Sequence, residues 1–110
     1  MRKDSEFYRL EILGSIRKIE TYVDSMNIGQ FYDDERTFDA CCMQLQHIGE
    51  CGTKLRLVDS DDFRDVPFIL MTGLRNRISH DYAGIDEQIV WNTIQHSLPE
   101  LKRTLQRKAS

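Results

Sequence analysis

Apolar residues recur early in the chain at Ile12, Ile16, Ile19, Val23 and Met26. The steps of four, three, four and three keep them on one stripe of an α-helix. This spacing predicts a first helix over about residues 5–26, with Asp4 or Ser5 as its cap. Asn27-Ile28-Gly29-Gln30 breaks the pattern, and a second stripe follows at Phe38, Cys41, Cys42, Leu45, Ile48, Gly49, Gly52 and Leu55. The acidic cluster Asp33-Asp34-Glu35 before it suits a helix N-terminus. Gly49 and Gly52 cost helix propensity and would let another backbone come close.

Asp59-Ser60-Asp61-Asp62-Phe63-Arg64-Asp65 is polar enough to be a loop or a short helical turn. Pro67 fits the first turn of a third helix with an apolar face of Phe68, Ile69, Met71, Leu74 and Ile78, ending at Ala83-Gly84. Asp86 caps a fourth helix carrying Ile89, Val90, Ile94, Leu98, Leu101 and Leu105. Within it Pro99 lacks a backbone donor, so the helix should kink or restart as a short fifth helix capped by Ser97. No segment alternates with period two. The expected fold is all-α, an antiparallel up-and-down four-helix bundle with a short additional C-terminal helix, filling one domain over residues 1–110.

Composition narrows the functional classes. At 110 residues the core is adequate but small, so burial at a subunit interface would add stability. With 40% hydrophobic and 30% charged residues, the chain is too apolar to be disordered. The longest apolar run, Val66 to Met71 counting Pro67, is far short of a membrane span, and Met-Arg-Lys-Asp-Ser-Glu starts no apolar leader. A cytoplasmic protein is expected. Cys41, Cys42 and Cys51 lie in one amphipathic segment without paired zinc spacing, and read as core thiols with no disulfide and no metal. The formal charge of −3 gives no global attraction to nucleic acid. An RNA-binding surface would have to be local, at Arg64, Arg75, Arg77 and His80, or in the tail, where Lys102, Arg103, Arg107 and Lys108 face only Glu100.

The densest chemistry is Arg75-Asn76-Arg77-Ile78-Ser79-His80-Asp81-Tyr82. Arg offers a fork of donors that fits phosphate oxygens, and His both takes and gives a proton near neutral pH. A helix turns about 100° per residue, so Asn76 and His80, four apart, share a face and the amide can orient the imidazole. Arg75 and His80, five apart, diverge by about 140° on a straight helix; they converge only where the helix ends near Ser79 or where two subunits share a cleft. Tyr82, seven from Arg75, returns to nearly its face. Plainer readings stand beside these. His80 also suits a helix C-terminal dipole, Arg75 and Arg77 also suit solvent or the acidic stretch 59–65, and Tyr82 also suits a half-buried aromatic. His47 and His96 read as surface or partly buried helix residues, with no acid or nucleophile spaced to work with them.

Several separate motifs occur in order: Ile48-Gly49-Glu50, then Gly73 through Tyr82, then Gly84-Ile85-Asp86, Val90-Trp91, and Leu98-Pro99-Glu100-Leu101-Lys102. On these, nearly the whole chain resembles the minimal HEPN domain family, and within it the HepT-like toxins of toxin–antitoxin pairs. Its members resemble one another as all-helical dimers whose Arg-x4-6-His motifs face each other across the interface. The resemblance implies a metal-independent endoribonuclease that needs no cofactor, acts on RNA and not DNA, stays off membranes, and forms a homodimer or a higher oligomer. His80 would serve as base or acid, Arg75 would neutralise the phosphorane, and Asn76 would hold the imidazole or a phosphate oxygen. The Arg-x4-His-x-Tyr form also implies a minimal nucleotidyltransferase antitoxin that adenylylates Tyr82, adding charge and bulk beside Arg75. Ala83 departs from the larger aromatic residue that often follows the Tyr, and Gly52 from a more helix-favouring small residue. The competing reading is a non-catalytic helical subunit that binds a nucleotide or partner in a nucleotidyltransferase complex.

Overall fold

The first apolar stripe folds as expected: Ile12, Ile16 and Ile19 are fully buried on α1, Lys3–Tyr22. The computed structural model describes residues 3–59, 61, 63, 66, 71, 73, 76 and 86–108. Among them every regular element is a helix. Asp4 and Ser5 do not cap α1, because Lys3 is already helical. Asp4 and Glu6 instead place negative charge in the first turn, where the helix dipole favours it. Ser5 is buried, and its hydroxyl donates to Asp59 Oδ2 at 3.2 Å.

α1 stops at Tyr22, short of the expected residue 26. The chain then turns through Ser25, whose φ of 65° lies in the left-handed region. That conformation costs a non-glycine residue about 1–2 kcal/mol. The stretch read as a simple break is a helix start: the Gln30 amide donates to Asn27 Oδ1 and the Asn27 amide to Gln30 Oε1, each at 2.9 Å. This reciprocal box opens the short helix α2, Ile28–Asp33. Phe31 of α2 is fully buried, with its ring centroid 6.1 Å from that of Phe38 and 5.1 Å from that of Trp91.

α3, Glu35–Asp59, begins where the acidic cluster predicts. The Thr37 amide donates to Asp34 Oδ1 at 3.1 Å and its hydroxyl to Oδ2 at 2.8 Å. These bonds, led by the one from the Thr37 backbone, hold the Asp34 carboxyl below its ordinary range. The buried face of α3 is Cys41, Cys42, Leu45, Ile48, Gly49, Cys51, Gly52 and Leu55. The three cysteines are core thiols: burial pushes Cys41 and Cys42 up to about 12 and Cys51 up to about 11. α1 and α3 run antiparallel, since Ser5 meets Asp59 and Glu11 meets His47.

Asp86 caps α4, Glu87–Asn92, accepting from the Gln88 amide at 2.8 Å. The helix neither stops nor restarts at Pro99. Thr93–Ser97 forms one π-helical turn, in which the Leu98 amide reaches back to the Thr93 carbonyl, and α5, Leu98–Arg107, continues from it. Ser97 keeps helical backbone angles and makes no side-chain cap. The wider turn gives room to the carbonyl four residues before Pro99, which the proline ring would otherwise strike. α5 returns to α1 through Arg9, whose Nη1 donates to the Leu105 carbonyl at 3.2 Å while Nε and Nη2 grip Glu6 at 3.0 and 2.7 Å. Among the described residues no helix is long and apolar enough to cross a membrane.

The Asp34 cap generates a prediction with a defined pH sign. A carboxyl held below its ordinary range stabilises the fold above that range, and the contribution is lost as pH falls through the folded value. Asp34→Ala should therefore lower the melting temperature by a few degrees at pH 7. Thermal melts of the two proteins should converge as pH falls below the ordinary carboxylate range and through the folded value, where the carboxyl of the parent becomes protonated.

Candidate active site

In the sequence the motif stands between Phe63, Val66 and Met71, which are buried, and α4, which buries Val90. On its N-terminal side Phe63 is fully buried and Val66 nearly so, joined by a Val66 amide to Phe63 carbonyl bond of 3.0 Å. The polar run 59–65 therefore carries a core residue in its middle. Met71 is helical and 5% exposed. A Cβ added at Gly52 would come within 2.5 Å of Met71 Cε and 3.3 Å of its sulfur. The missing side chain at Gly52 is thus a notch that seats Met71; what comes close there is a side chain, not the backbone the sequence suggested. On the C-terminal side, Asp86 caps α4 directly after the motif.

Between these anchors Gly73 and Asn76 are both helical and exposed, with nothing within 4 Å of a Cβ built at Gly73. Asn76 is the one member of the expected site that is described, and it faces solvent, where an amide can reach a substrate oxygen or a neighbouring imidazole. Arg64, Arg75, Arg77, His80 and Tyr82 lie outside the described residues.

Two groups outside the motif escape a reading by spacing. Tyr32 of α2 lies near Asp86 and Glu87; partial desolvation first, and those carboxylates second, raise its phenol above the ordinary value. Without α2 in the prediction, nothing in the sequence placed this phenol there. His47, expected to have no acid or nucleophile at hand, has both. Its Nε2 lies 3.3 Å from Glu11 Oε1 and 3.5 Å from Cys51 Sγ. Cys51, one turn on, was visible in the spacing; Glu11 arrives only through the α1–α3 pairing. The thiol, pushed up to about 11 by burial and then by Glu11, stays protonated and is a poor nucleophile. The cluster ties two helices together.

The surface charge of the described residues is uneven. Asp24, Asp33, Asp34 and Glu35 line an open depression of about 680 Å³ where α1, α2 and α3 meet, with Arg36 as its cation. Polyanions are disfavoured at that corner. Among the described residues no group of three or more His, Cys, Asp or Glu side chains is arranged to hold a metal ion.

Helices as the regular elements among the described residues, with a sequence segment carrying Arg, Asn, His and Tyr, define the class of small helical domain to which the sequence comparisons lead. The family described as Ribonuclease HepT-like matches residues 12–107, and the chain belongs to it. A relative from Thermococcus cleftensis named "Probable ribonuclease HepT" is 26% identical over 106 residues, covering 93% of each chain. Two proteins of Methanocaldococcus jannaschii, each named "Putative RNase", are 24% and 25% identical, covering 96% of this chain and 91% and 96% of their own. No solved structure matches.

The Gly52 notch is testable apart from any activity. Gly52→Val should cost about 1–3 kcal/mol in denaturant unfolding, the usual range for overpacking a filled site. In a Met71→Ala background the same change should cost less. Additive losses in the double-mutant cycle would show that the two positions do not press on each other.

Proposed function

We propose that this protein is a metal-independent endoribonuclease toxin of a type VII-like toxin–antitoxin pair, working as a homodimer with two copies of the motif facing one cleft. The observation that carries the reading is the HepT-like family match, which spans the whole Arg75 to Tyr82 segment. The ribonuclease names of relatives that align over most of their length support the substrate class. The antiparallel α1–α3 pair supports an up-and-down four-helix bundle as the scaffold.

In this mechanism His80 of one copy takes the proton of a ribose 2′-hydroxyl, whose oxygen attacks the adjacent phosphorus. The P–O5′ bond breaks, and His80 of the second copy protonates the departing 5′-oxygen. The products are a 2′,3′-cyclic phosphate and a 5′-hydroxyl, so DNA is not a substrate. Arg75 balances the charge that grows on the non-bridging oxygens, and its fork suits them better than a lysine would. The exposed Asn76 holds the imidazole or a phosphate oxygen. Arg77 and Arg64 add cationic surface for the strand.

Regulation acts through Tyr82. A nucleotidyltransferase antitoxin places AMP on its hydroxyl, and the added phosphate and nucleotide repel and obstruct RNA beside Arg75. The chemistry needs no cofactor of the chain's own.

Purified protein should cut RNA in the presence of EDTA, leaving cyclic phosphate ends, and should spare a substrate with a 2′-deoxyribose at the scissile position. His80→Ala should reduce cleavage by about 10²-fold or more, the usual worth of a positioned acid–base group. A folded His80→Ala protein that still cleaves would sink the assignment. Parent protein that binds a nucleotidyltransferase and never cleaves would favour the non-catalytic binding subunit.

Adenylylation makes a separate prediction. Coexpression with the antitoxin should add AMP to Tyr82, located by mass spectrometry of peptides. Tyr82→Phe should then escape neutralisation while keeping ribonuclease activity. A silenced Tyr82→Phe protein, or AMP on another residue, would remove the proposed switch.

A further inference from the structure

The groove where α1 meets α5 holds side chains that the ribonuclease reading leaves unused. Leu10, Leu13, Gly14 and Arg17 recur along α1 at helical spacing and share one stripe. They line an open depression of about 360 Å³, at the small end of the range of about 300–1,000 Å³ that small-molecule sites span. Nothing lies within 4 Å of a Cβ built at Gly14, so the wall there is bare backbone facing open space. Across from this stripe α5 supplies Lys102 and, one turn on, the exposed Gln106. Lys102 donates to Glu20, which completes the lining, at 3.0 Å, and both partners are well exposed. The depression thus carries two cations against one carboxylate, in a chain whose formal charge is −3. Among the described residues no carboxylate pairs with the Arg17 guanidinium.

We propose that this depression binds a free nucleoside monophosphate. The chemistry of the lining asks for three things in one ligand. An anion must meet Arg17, whose planar fork suits two phosphate oxygens, and Lys102 can join it because an exposed bridge such as the one to Glu20 is weak. A flat apolar face must cover Leu10, Leu13 and the bare backbone at Gly14, as a nucleobase does. Donors must then satisfy the Glu20 carboxylate and the Gln106 amide oxygen, as ribose hydroxyls or an exocyclic amine do. Inorganic phosphate meets the first need and leaves the leucines uncovered. A fatty acid meets the first two and leaves Glu20 against an apolar chain. The flanks limit the ligand to one nucleotide: the first turn of α1 carries Asp4 and Glu6, and Glu20 stands at the other end of the stripe, so the further phosphates of an RNA strand would meet carboxylates. Because the base rests on leucines and one amide, the site tolerates any of the four bases.

The inference stands independently of the ribonuclease reading, since it needs no residue of the motif and holds for a chain that cleaves nothing. Amide spectra of the ¹⁵N-labelled full chain, titrated with AMP, should show saturable shifts at Leu13, Gly14 and Gln106. UMP should shift the same amides, whereas adenosine and inorganic phosphate should each bind at least about tenfold more weakly, having lost either the charge-assisted bonds or the apolar cover. Arg17→Gln should weaken AMP binding about tenfold or more. Gly14→Leu fills the space for the base while replacing a helix-interior glycine with a better helix former, so it should abolish binding without lowering the melting temperature. His80→Ala should bind AMP as the parent does, which separates this site from the motif. An AMP titration that leaves Leu13, Gly14 and Gln106 unmoved would overturn the proposal. So would binding that survives both Arg17→Gln and Gly14→Leu, inorganic phosphate that binds as well as AMP, or an RNA oligonucleotide that shifts these amides where AMP does not.

Discussion

The broad apolar face of α3 is the surface against which the rest of the chain is built. Its buried residues repeat over four turns and include five small ones, Cys41, Cys42, Gly49, Cys51 and Gly52, among Leu45, Ile48 and Leu55. Large side chains alone would hold neighbours at a distance. The small ones let α1 lie along one part of this face and let Met71 sink into another. Each fully buried Ile or Leu on the seam contributes about 1.5–3 kcal/mol. That sum outweighs any single polar contact. The one described motif residue, the helical Asn76, lies five positions after Met71, which this face seats.

The polar contacts between helices differ in what they contribute, and burial decides which matter. Arg9 is nearly inaccessible, yet its guanidinium has an oxygen partner for each of its three nitrogens, two from Glu6 and one from Leu105. A charge so enclosed costs little while its partners stay and a great deal once one is removed. It therefore fixes where the end of α5 sits on α1. Lys102 and Glu20 join the same helices at 3.0 Å but are well exposed, and such bridges are worth about 0–1 kcal/mol. The core brings the helices together, and the buried arginine fixes their register.

Sequence periodicity revealed the helices that bury one continuous stripe, because burial of that stripe is the force that forms them. It failed where short-range hydrogen bonding or tertiary contact decides. α2 is six residues long, too short for a period to register, and rests on the Asn27–Gln30 box and one buried ring, Phe31. Ser5 reads as a cap because serine usually caps, but Asp59 gives its hydroxyl a partner from across the bundle. The π turn before Pro99 was not visible either, since the residues that form it have no common signature. Of the candidate site, the identities and order of the residues were legible and the family followed from them. The exposure of Asn76 and the seating of Met71 at Gly52 required the fold.

The charge distribution constrains how such a protein can engage RNA. The chain is net acidic, and its acidic corner at α2 adjoins Asp86 and Glu87, which flank the C-terminal end of the motif segment. Affinity for a polyanion grows with the number of phosphates neutralised, and each added contact steepens the salt dependence. In the proposed reading one copy brings Arg75 and Arg77, with Arg64 nearby, which is a small count against −3 overall. In that reading, facing copies would double the cations around one strand. On that proposal, two subunits would serve binding as well as placing an acid and a base on opposite sides of one phosphate. A single AMP beside Arg75 would cancel a large fraction of so small a positive site. That gives a physical reason for a modification on Tyr82 to act as a switch: where few cations bind the substrate, one added phosphate is enough to matter.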